Sequence, residues 1–260
     1  LDPAEPKRFP ENFQPTIEFR DVSFRYPGAD DDVLRNLTFR IEAGQTVGLM
    51  GTTGSGKSTV VNLIPRFFDV TGGAVLVSGV DIREVPLKEL RDKIGYIPQR
   101  SNLFTGTIAS NLRYADENAD EETLKLALEI AQAADFVQER SEGLQAEVSQ
   151  GGVNYSGGQK QRLSIARALV KRAPIFIFDD SFSALDYRTD ARLRQALLKQ
   201  LRHSTVLIVS QRIATIKNAD QILVLDEGRL IGQGTHEELM KTNEIYREIA
   251  LSQLKQEALA

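Results

Sequence analysis

A glycine-rich octapeptide constrains this chain more than any other feature of its sequence. The segment GTTGSGKS occupies 51–58, between an apolar strand pattern at 46–50 and a helical pattern at 59–68. When a glycine-rich turn connects a strand to a helix, the glycines let backbone N–H groups point at phosphate oxygens. The start of the helix adds positive potential. A glycine-rich turn that has no function would not need a strand before it and a helix after it. The pattern therefore predicts a phosphate-binding loop.

Two side chains of this loop have predicted roles of their own. Lys57 is placed to contact the β- and γ-phosphates of a nucleoside triphosphate, and Ser58 is placed to ligate Mg²⁺. The residues that we expect to line the nucleotide are Gly51, Thr52, Thr53, Gly54, Ser55, Gly56, Lys57, Ser58 and Thr59.

A second Mg²⁺ element lies further along the chain. The run IFIFD is an apolar strand pattern that ends in Asp179. Strand–Asp pairs are common, but the carboxyl end of a strand in this kind of sheet lies beside the phosphate loop. Together with that loop, the pattern predicts Asp179 as part of the metal site.

The order of apolar patterns indicates the fold class. Short, wholly apolar runs at 175–178, 206–209 and 222–225 are typical of buried parallel strands. Helical patterns at 120–139 and 159–171 are interspersed with strand patterns. We therefore predict an α/β fold with a central, largely parallel sheet.

Two further parts are expected around that sheet. Strand patterns between 16 and 50 follow one another without helices, which predicts an antiparallel β part. The stretch at about 105–170 is rich in helical pattern and predicts a separate helical lobe, whereas the proline-rich 1–15 predicts an extended linker. The apolar set of the first strand is Ile17, Phe19, Val22 and Phe24.

Composition excludes several classes of protein. Of the 260 residues 41% are hydrophobic, enough for a core, but the longest apolar run has four residues. A membrane-spanning helix needs roughly 20. There is no cysteine, which excludes disulfides and thiolate chemistry, and the net charge of -4 argues against nonspecific binding to nucleic acid.

A further motif, NYSGGQKQR at 154–162, lies between the phosphate loop and Asp179. A P-loop, then SGGQ, then an acid-ended strand together resemble the nucleotide-binding domain of ABC transporters. The resemblance implies a P-loop NTPase with a RecA-like core, an antiparallel β subdomain and an α-helical subdomain. It places this domain at 16–260, after a linker from a missing membrane domain at 1–15. It also implies that two such domains enclose two ATP molecules with Mg²⁺, each between one P-loop and the other SGGQ.

The resemblance assigns further roles by position. Tyr26 matches the aromatic residue that stacks on adenine, and Gln99 matches the glutamine that senses Mg²⁺ and the membrane domain. The loop at 183–186 matches the one that crosses between the two sites. Tyr155 stands where leucine is usual, a change that we expect to be mild. The signature residues that would face the partner's γ-phosphate are Ser156, Gly157, Gly158 and Gln159.

Two segments resemble the exporter branch of the family, LFTGTIASNL at 103–112 and EIYREIALSQ at 244–253. The implied location is the cytoplasmic face of the membrane, within an integral membrane transporter. The implied partners are transmembrane domains and a second nucleotide-binding domain, and no nucleic acid partner is expected. Gln150 stands near a position where exporters usually carry an acid, so contacts that couple the domains are expected to differ there.

Two positions depart from the family pattern. The residue after Asp179 is usually a glutamate, the general base for the attacking water, but here it is Asp180. The family's switch histidine is replaced by Gln211, which can hydrogen-bond a γ-phosphate but cannot carry the imidazolium charge or relay a proton. His203 lies before that strand, and His236 lies at a predicted helix start on the surface, so neither replaces it easily.

A chain with these two departures resembles the degenerate-site subunit of a heterodimeric ABC exporter. We therefore expect an ABC-type ATPase whose own site is impaired and whose signature completes a partner's hydrolytic site. The expected catalytic residues are Asp180, Gln211 and Lys57, and the expected metal-site residues are Ser58, Gln99 and Asp179.

Three alternatives remain open at this point. The first is a homodimeric exporter ATPase that uses Asp180 as a weak base. The second is a soluble ABC ATPase of the repair or translation type, although such proteins usually carry large insertions or a tandem second domain. The third is a structural module that binds ATP without supporting hydrolysis.

Overall fold

The computed structural model describes residues 2–259, with side chains for 2–253. Leu1 and Ala260, the outer ends of the predicted linker and domain, lie outside the described residues. The chain forms two compact units. The first comprises the residues up to Ile94, Pro174–Asp179 and those from His203 onwards; the second comprises Gly95–Ala173 and Asp180–Arg202.

The strands are β1 (Ile17–Phe24), β2 (Leu34–Ile41), β3 (Thr46–Gly51), β4 (Gly72–Val77), β5 (Val80–Asp81), β6 (Ile94–Ile97), β7 (Gly106–Thr107), β8 (Glu147–Val148), β9 (Ile175–Asp179), β10 (Thr205–Val209), β11 (Gln221–Asp226) and β12 (Arg229–Gly234). The helices are α1 (Lys57–Leu63), α2 (Leu87–Asp92), α3 (Ile108–Arg113), α4 (Glu121–Ile130), α5 (Ala134–Gln138), α6 (Gly157–Val170), α7 (Tyr187–Gln200), α8 (Ile213–Ile216), α9 (His236–Thr242) and α10 (Glu244–Leu259). Within residues 2–259, no helix combines the length and apolar character needed to cross a bilayer.

A mainly parallel sheet forms the core of the first unit, with the strand order β12-β11-β3-β10-β9. The strands β3, β9, β10 and β11 are parallel, whereas β12 pairs antiparallel with β11. Every residue of β9 and β10 is buried, as their wholly apolar patterns predict. The register pairs Asp179 with Val209 and Gly51 with Leu225, so these strands end at one edge of the sheet.

The predicted antiparallel β part is confirmed as a sheet with the order β2-β1-β4-β5. Its four predicted core residues are buried, with exposures of 0–2%: Ile17, Phe19, Val22 and Phe24. Strict alternation would place Phe19 and Val22 on opposite faces, because they are three positions apart. A register shift between them, with Asp21 at φ 48°, returns Val22 to the core face.

The helix after the phosphate loop is shorter than the pattern at 59–68 predicts. α1 begins earlier, at Lys57, and ends at Leu63. Pro65 has no backbone N–H to continue the helical hydrogen bonds, and Arg66 adopts a left-handed φ of 54°. The predicted helix over 59–68 is therefore wrong beyond Leu63, because Pro65 ends it.

The second unit is built around α6, which packs against α3 and α4. The helical pattern at 120–139 forms two helices, α4 and α5, which are separated by Gln132 at φ 56°. Asp120 begins α4, because its side chain accepts from the Thr123 backbone N–H at 2.7 Å. The helix predicted over 159–171 begins two residues earlier, at Gly157.

The N-terminal segment 2–15 contains no helix or strand but makes defined contacts within the first unit. Lys7 pairs with Glu84 at 2.8 Å, and Arg8 pairs with Glu89 at 2.6 Å. The Phe9 backbone N–H also donates to Glu89 at 3.1 Å. These contacts hold the segment along the residues that precede and form α2.

Candidate functional site

The glycine-rich loop connects the end of β3 to the start of α1, as the sequence predicts. A Cβ at Gly51 would lie 2.1 Å from the Leu225 carbonyl oxygen, which no side chain tolerates. Gly56 has φ +100°, and its Cβ would lie 2.6 Å from Leu34 Cδ2. Gly51 is thus required by a backbone contact within the first unit and Gly56 by its backbone conformation, before any ligand is considered.

Lys57 lies over the loop that precedes it. Its side chain is largely enclosed, and its Nζ donates to the carbonyl oxygens of Gly51 at 2.8 Å and Thr52 at 2.7 Å. The Ser55 hydroxyl lies 3.4 Å from the same nitrogen. The ammonium group is therefore held at the centre of the loop, where phosphate oxygens would meet it.

The predicted metal-site residues of the first unit lie in contact. Ser58 Oγ donates to Asp179 Oδ1 at 3.2 Å, and Asp179 is buried, with 5% exposure. A hydroxyl and a carboxylate are hard oxygen donors, and Mg²⁺ sites of this kind complete their shell with water and phosphate. The pair therefore fits a Mg²⁺ ion held together with a nucleotide. Among the described residues, no cluster of three or more His, Asp or Glu side chains offers a different metal site.

Tyr26 lies beside the start of α1. Its hydroxyl is 3.0 Å from Thr59 Oγ1, and its ring packs edge-on against Phe24 and Phe68, with centroid distances of 4.8 and 5.2 Å. The ring is only half buried. This anchored, partly exposed aromatic ring is consistent with the adenine-stacking role predicted for Tyr26.

Gln211 follows the end of β10 and its side chain is exposed. Its carbonyl oxygen accepts a hydrogen bond from Gln253 Nε2 at 2.6 Å. The next backbone N–H, of Arg212, donates to Ser210 Oγ at 3.0 Å. The backbone around Gln211 is thus fixed while its amide side chain faces solvent.

The remaining catalytic candidate, Asp180, belongs to the second unit and directly follows Asp179. It has a left-handed φ of 47°, a conformation that aspartate adopts more readily than most residues. Gln99 Nε2 donates to Asp180 Oδ2 at 3.3 Å, and Ser183 Oγ donates to the Asp180 carbonyl oxygen at 2.9 Å. The structure thus brings the predicted sensor glutamine and the predicted base into contact.

The signature motif begins α6. Ser156 is its N-cap, and it forms a reciprocal capping box in which Ser156 Oγ accepts from the Gln159 N–H and Gln159 Oε1 accepts from the Ser156 N–H. The Ser156 hydroxyl keeps its own hydrogen for donation. No atom lies within 4 Å of a Cβ built on Gly157. The start of this helix therefore presents an open, positively polarised surface suited to an anion.

Tyr155 points away from that surface and into the second unit. It is 5% exposed, its hydroxyl donates to the Glu147 carbonyl oxygen at 3.0 Å, and the Arg140 guanidinium lies over its ring at 4.3 Å. Burial raises the pKa of the Tyr155 phenol. The tyrosine at the usual leucine position thus anchors the signature loop to β8.

The loop at 183–186 ends as the N-cap of α7. Asp186 accepts from the backbone N–H groups of Thr189 at 3.0 Å and Arg188 at 3.1 Å. These hydrogen bonds, that of Thr189 first, hold the pKa of the Asp186 carboxyl below its usual range.

One histidine differs from its prediction. His236 begins α9, as expected, but it is half buried rather than on the surface, because its Nδ1 lies 2.7 Å from the hydroxyl of the buried Tyr246. His203 is exposed at the start of the segment before β10. Neither histidine is part of the arrangement around Gly51–Ser58 that is described above.

Some contacts of the site had no signal in the sequence analysis. Thr52 Oγ1 donates to Asp226 Oδ1 at 3.2 Å, and Gln253 contacts the backbone at Gln211. Both partners lie far from the motifs along the chain, Asp226 at the end of β11 and Gln253 within α10. Only the fold shows that they are neighbours.

Comparisons with known proteins agree with this geometry. Residues 34–183 match the family model described as ABC transporter. The chain is 46% identical over 255 residues to an uncharacterised ABC transporter ATP-binding protein of Mycobacterium tuberculosis, covering 97% of this chain and 44% of the relative. It is 41% identical over 241 residues to an ATP-dependent lipid A-core flippase of Pasteurella multocida, covering 92% of this chain and 41% of the flippase.

Among solved structures, a bacterial Atm1-family ABC exporter with ATP bound matches with a TM-score of 0.92 and 37% sequence identity. The match covers 97% of this chain and 44% of the exporter chain. The chain thus spans less than half the length of these similar proteins.

Proposed function

This chain belongs to the ABC transporter family as the ATP-binding domain of an exporter, and we propose that its own site binds Mg·ATP but hydrolyses it slowly. The observation that carries the proposal is a contrast between the residues for binding and those for chemistry. The binding elements are complete, with Lys57 over the loop and Ser58 bonded to Asp179. The two positions to which we assign the attacking water and the γ-phosphate carry Asp180 and Gln211.

The first change limits the reach of the base. Aspartate keeps the charge of glutamate but has one C–C bond less, about 1.5 Å of arm. A misplacement near 1 Å can cost roughly 10²-fold in rate. The contacts of Asp180 with Gln99 and Ser183 further fix its position, so the shorter arm has little freedom to compensate.

The second change removes a proton-carrying group. Gln211 can donate its amide hydrogens to a γ-phosphate oxygen, which supports binding. It has no ionisable group at neutral pH, so it cannot stabilise the charge that develops during transfer as an imidazolium would. The proposed site therefore retains recognition of the triphosphate and loses much of its chemical power.

In-line attack by water on the γ-phosphorus is the reaction that these residues would serve. Mg²⁺, when bound, would neutralise charge on the β- and γ-phosphate oxygens. Ser58 and Asp179 would hold that ion, Lys57 would contact the phosphate oxygens, and Asp180 would orient the water. The Ser156 hydroxyl and the start of α6 would face the γ-phosphate in the site of a second nucleotide-binding domain.

We propose that this second domain belongs to a different chain with glutamate and histidine at the two altered positions. Transmembrane domains would complete the exporter, and this domain would lie at the cytoplasmic face of the membrane. The arrangement follows from an intact signature in a chain with a weakened site, because the intact signature is useful only to a partner.

A homodimeric exporter that uses Asp180 as a weak base is the second candidate. The contact between Gln99 and Asp180 favours it, because the carboxylate is held in a defined place rather than turned away. In that case the purified chain alone would hydrolyse ATP, at a rate that grows with the square of its concentration.

The test compares binding with turnover at this chain's site in the intact transporter. Photolabelling with 8-azido-ATP would report binding to this chain, and single-turnover hydrolysis would report chemistry. We expect labelling that is lost in Lys57→Ala, with hydrolysis about 10²-fold slower than at the partner's site. Equal hydrolysis at the two sites would overturn the slow-site proposal.

A further inference from the structure

The last helix of the chain contacts the segment that carries the switch position. Gln253, on α10, uses both ends of its side-chain amide for this contact. Its Nε2 donates to the Gln211 carbonyl oxygen at 2.6 Å, and its Oε1 accepts from the Ile213 backbone N–H at 2.8 Å. One amide therefore spans the backbone on either side of Arg212.

This pairing fixes the local backbone more tightly than either hydrogen bond alone. Ile213 is the first residue of α8, so its N–H has no partner within that helix. Gln253 supplies this partner and also holds the carbonyl two residues earlier. A third hydrogen bond, from the Arg212 N–H to the buried Ser210 hydroxyl, acts from the other side.

The helix that carries Gln253 is itself firmly anchored in the first unit. Tyr246 and Ala250 lie on the same face of α10 as Gln253, at the helical spacing i, i+4 and i+7, and both are fully buried. The Tyr246 hydroxyl lies 2.7 Å from His236 Nδ1 on α9. The side-chain amide of Gln253 thus extends from a helix that is held in place by buried residues.

We propose that Gln253 is a positioning residue that sets where the Gln211 side chain emerges and so tunes discrimination between ATP and ADP. The inference rests on the proposed function, in which the Gln211 amide contacts the γ-phosphate. ATP has this phosphate and ADP lacks it. An effect on Gln211 should therefore change the ratio of the two affinities more than the affinity for ADP itself.

The first measurement is hydrogen–deuterium exchange in the intact transporter, on the peptide that contains Ile213. Gln253→Ala should speed exchange of that amide about tenfold, because its acceptor is lost. Gln253→Glu keeps the acceptor oxygen but loses the donor to Gln211, so the Ile213 amide should stay slow. Ser252→Ala, an exposed neighbour on the same helix, is the matched control and should change nothing.

The second measurement is competition of 8-azido-ATP labelling of this chain by ATP and by ADP. Gln253→Ala and Gln253→Glu should each lower the ADP-to-ATP ratio of dissociation constants about fivefold or more. Neither change should lower the ratio further in a Gln211→Ala background, because positioning requires the side chain that is positioned.

Three results would overturn the proposal. Unchanged exchange in Gln253→Ala would show that the contact is not maintained in solution. Faster exchange in Gln253→Ala with an unchanged ADP-to-ATP ratio of dissociation constants would show that the contact does not position Gln211. A Gln211→Ala variant with normal discrimination would instead refute the γ-phosphate role of Gln211, and the positioning role with it.

Discussion

Replacing Asp180 by glutamate and Gln211 by histidine in the same chain should restore much of the chemistry that, in our proposal, its P-loop site lacks. Glutamate recovers about 1.5 Å of reach, for which up to roughly 10²-fold in rate is at stake. A general acid–base group at position 211 adds typically 10²-fold or more. Because Asp180 has φ 47°, glutamate there also meets a backbone cost of about 1 kcal/mol.

The two changes should not contribute independently. A base that reaches the water gains little while the γ-phosphate lacks its switch residue, so we expect about tenfold for Asp180→Glu alone and about 10³-fold for the pair. The backbone at position 211 is held by Gln253 and Ser210, so a histidine there would emerge from the same place as the glutamine.

Single-turnover hydrolysis in the intact transporter is the assay, with the partner's own P-loop lysine replaced so that only this site reports. Asp180→Asn is the control, since it preserves size and removes charge, and it should abolish the residual rate. If the double variant is no faster than the parent, then reach and imidazole are not what limits this site. If the gains merely multiply, the two groups act independently and not as one catalytic unit.

Other predictions concern the phosphate loop and the signature motif. In the intact transporter, Ser156→Ala should lower steady-state ATPase by about 10²-fold, and Lys57→Ala should lower it much less; equal losses would contradict the division of roles. Gly56→Ala should destabilise the chain by about 1–3 kcal/mol in denaturant titration, and Gly54→Ala should cost less because its Cβ meets nothing within 4 Å. Tyr155→Phe should cost about 1 kcal/mol by the same titration, and no change would show that its hydroxyl contact with β8 is dispensable.

The sequence was sufficient for the parts of the fold that depend on local pattern. The phosphate loop, the acid-ended β9 and the wholly buried β10 were each predicted from runs of fewer than ten residues. Their function as a group follows from strand order, because parallel strands of one sheet present their carboxyl ends at one edge. Two local errors had local causes: the helix after the loop stops before Pro65, and Gln132 divides the predicted helical stretch into α4 and α5.

Contacts between distant segments could not be predicted in this way. Val22 reaches the core only through a bulge at Asp21, which no periodicity shows. His236 resembles an exposed helix start until Tyr246 is folded against it. Gln253 ends the segment at 244–253, whose resemblance to exporters assigns it no role. Its partners are two backbone groups, which have no sequence signal.

The ammonium of Lys57 has a consequence for how nucleotide would bind. Because its Nζ donates to the carbonyl oxygens of Gly51 and Thr52, the shape of the loop is stabilised by a contact within the loop itself. In the proposed nucleotide site, phosphate would therefore meet a loop of fixed shape rather than order a flexible segment, and little conformational entropy would be lost on binding.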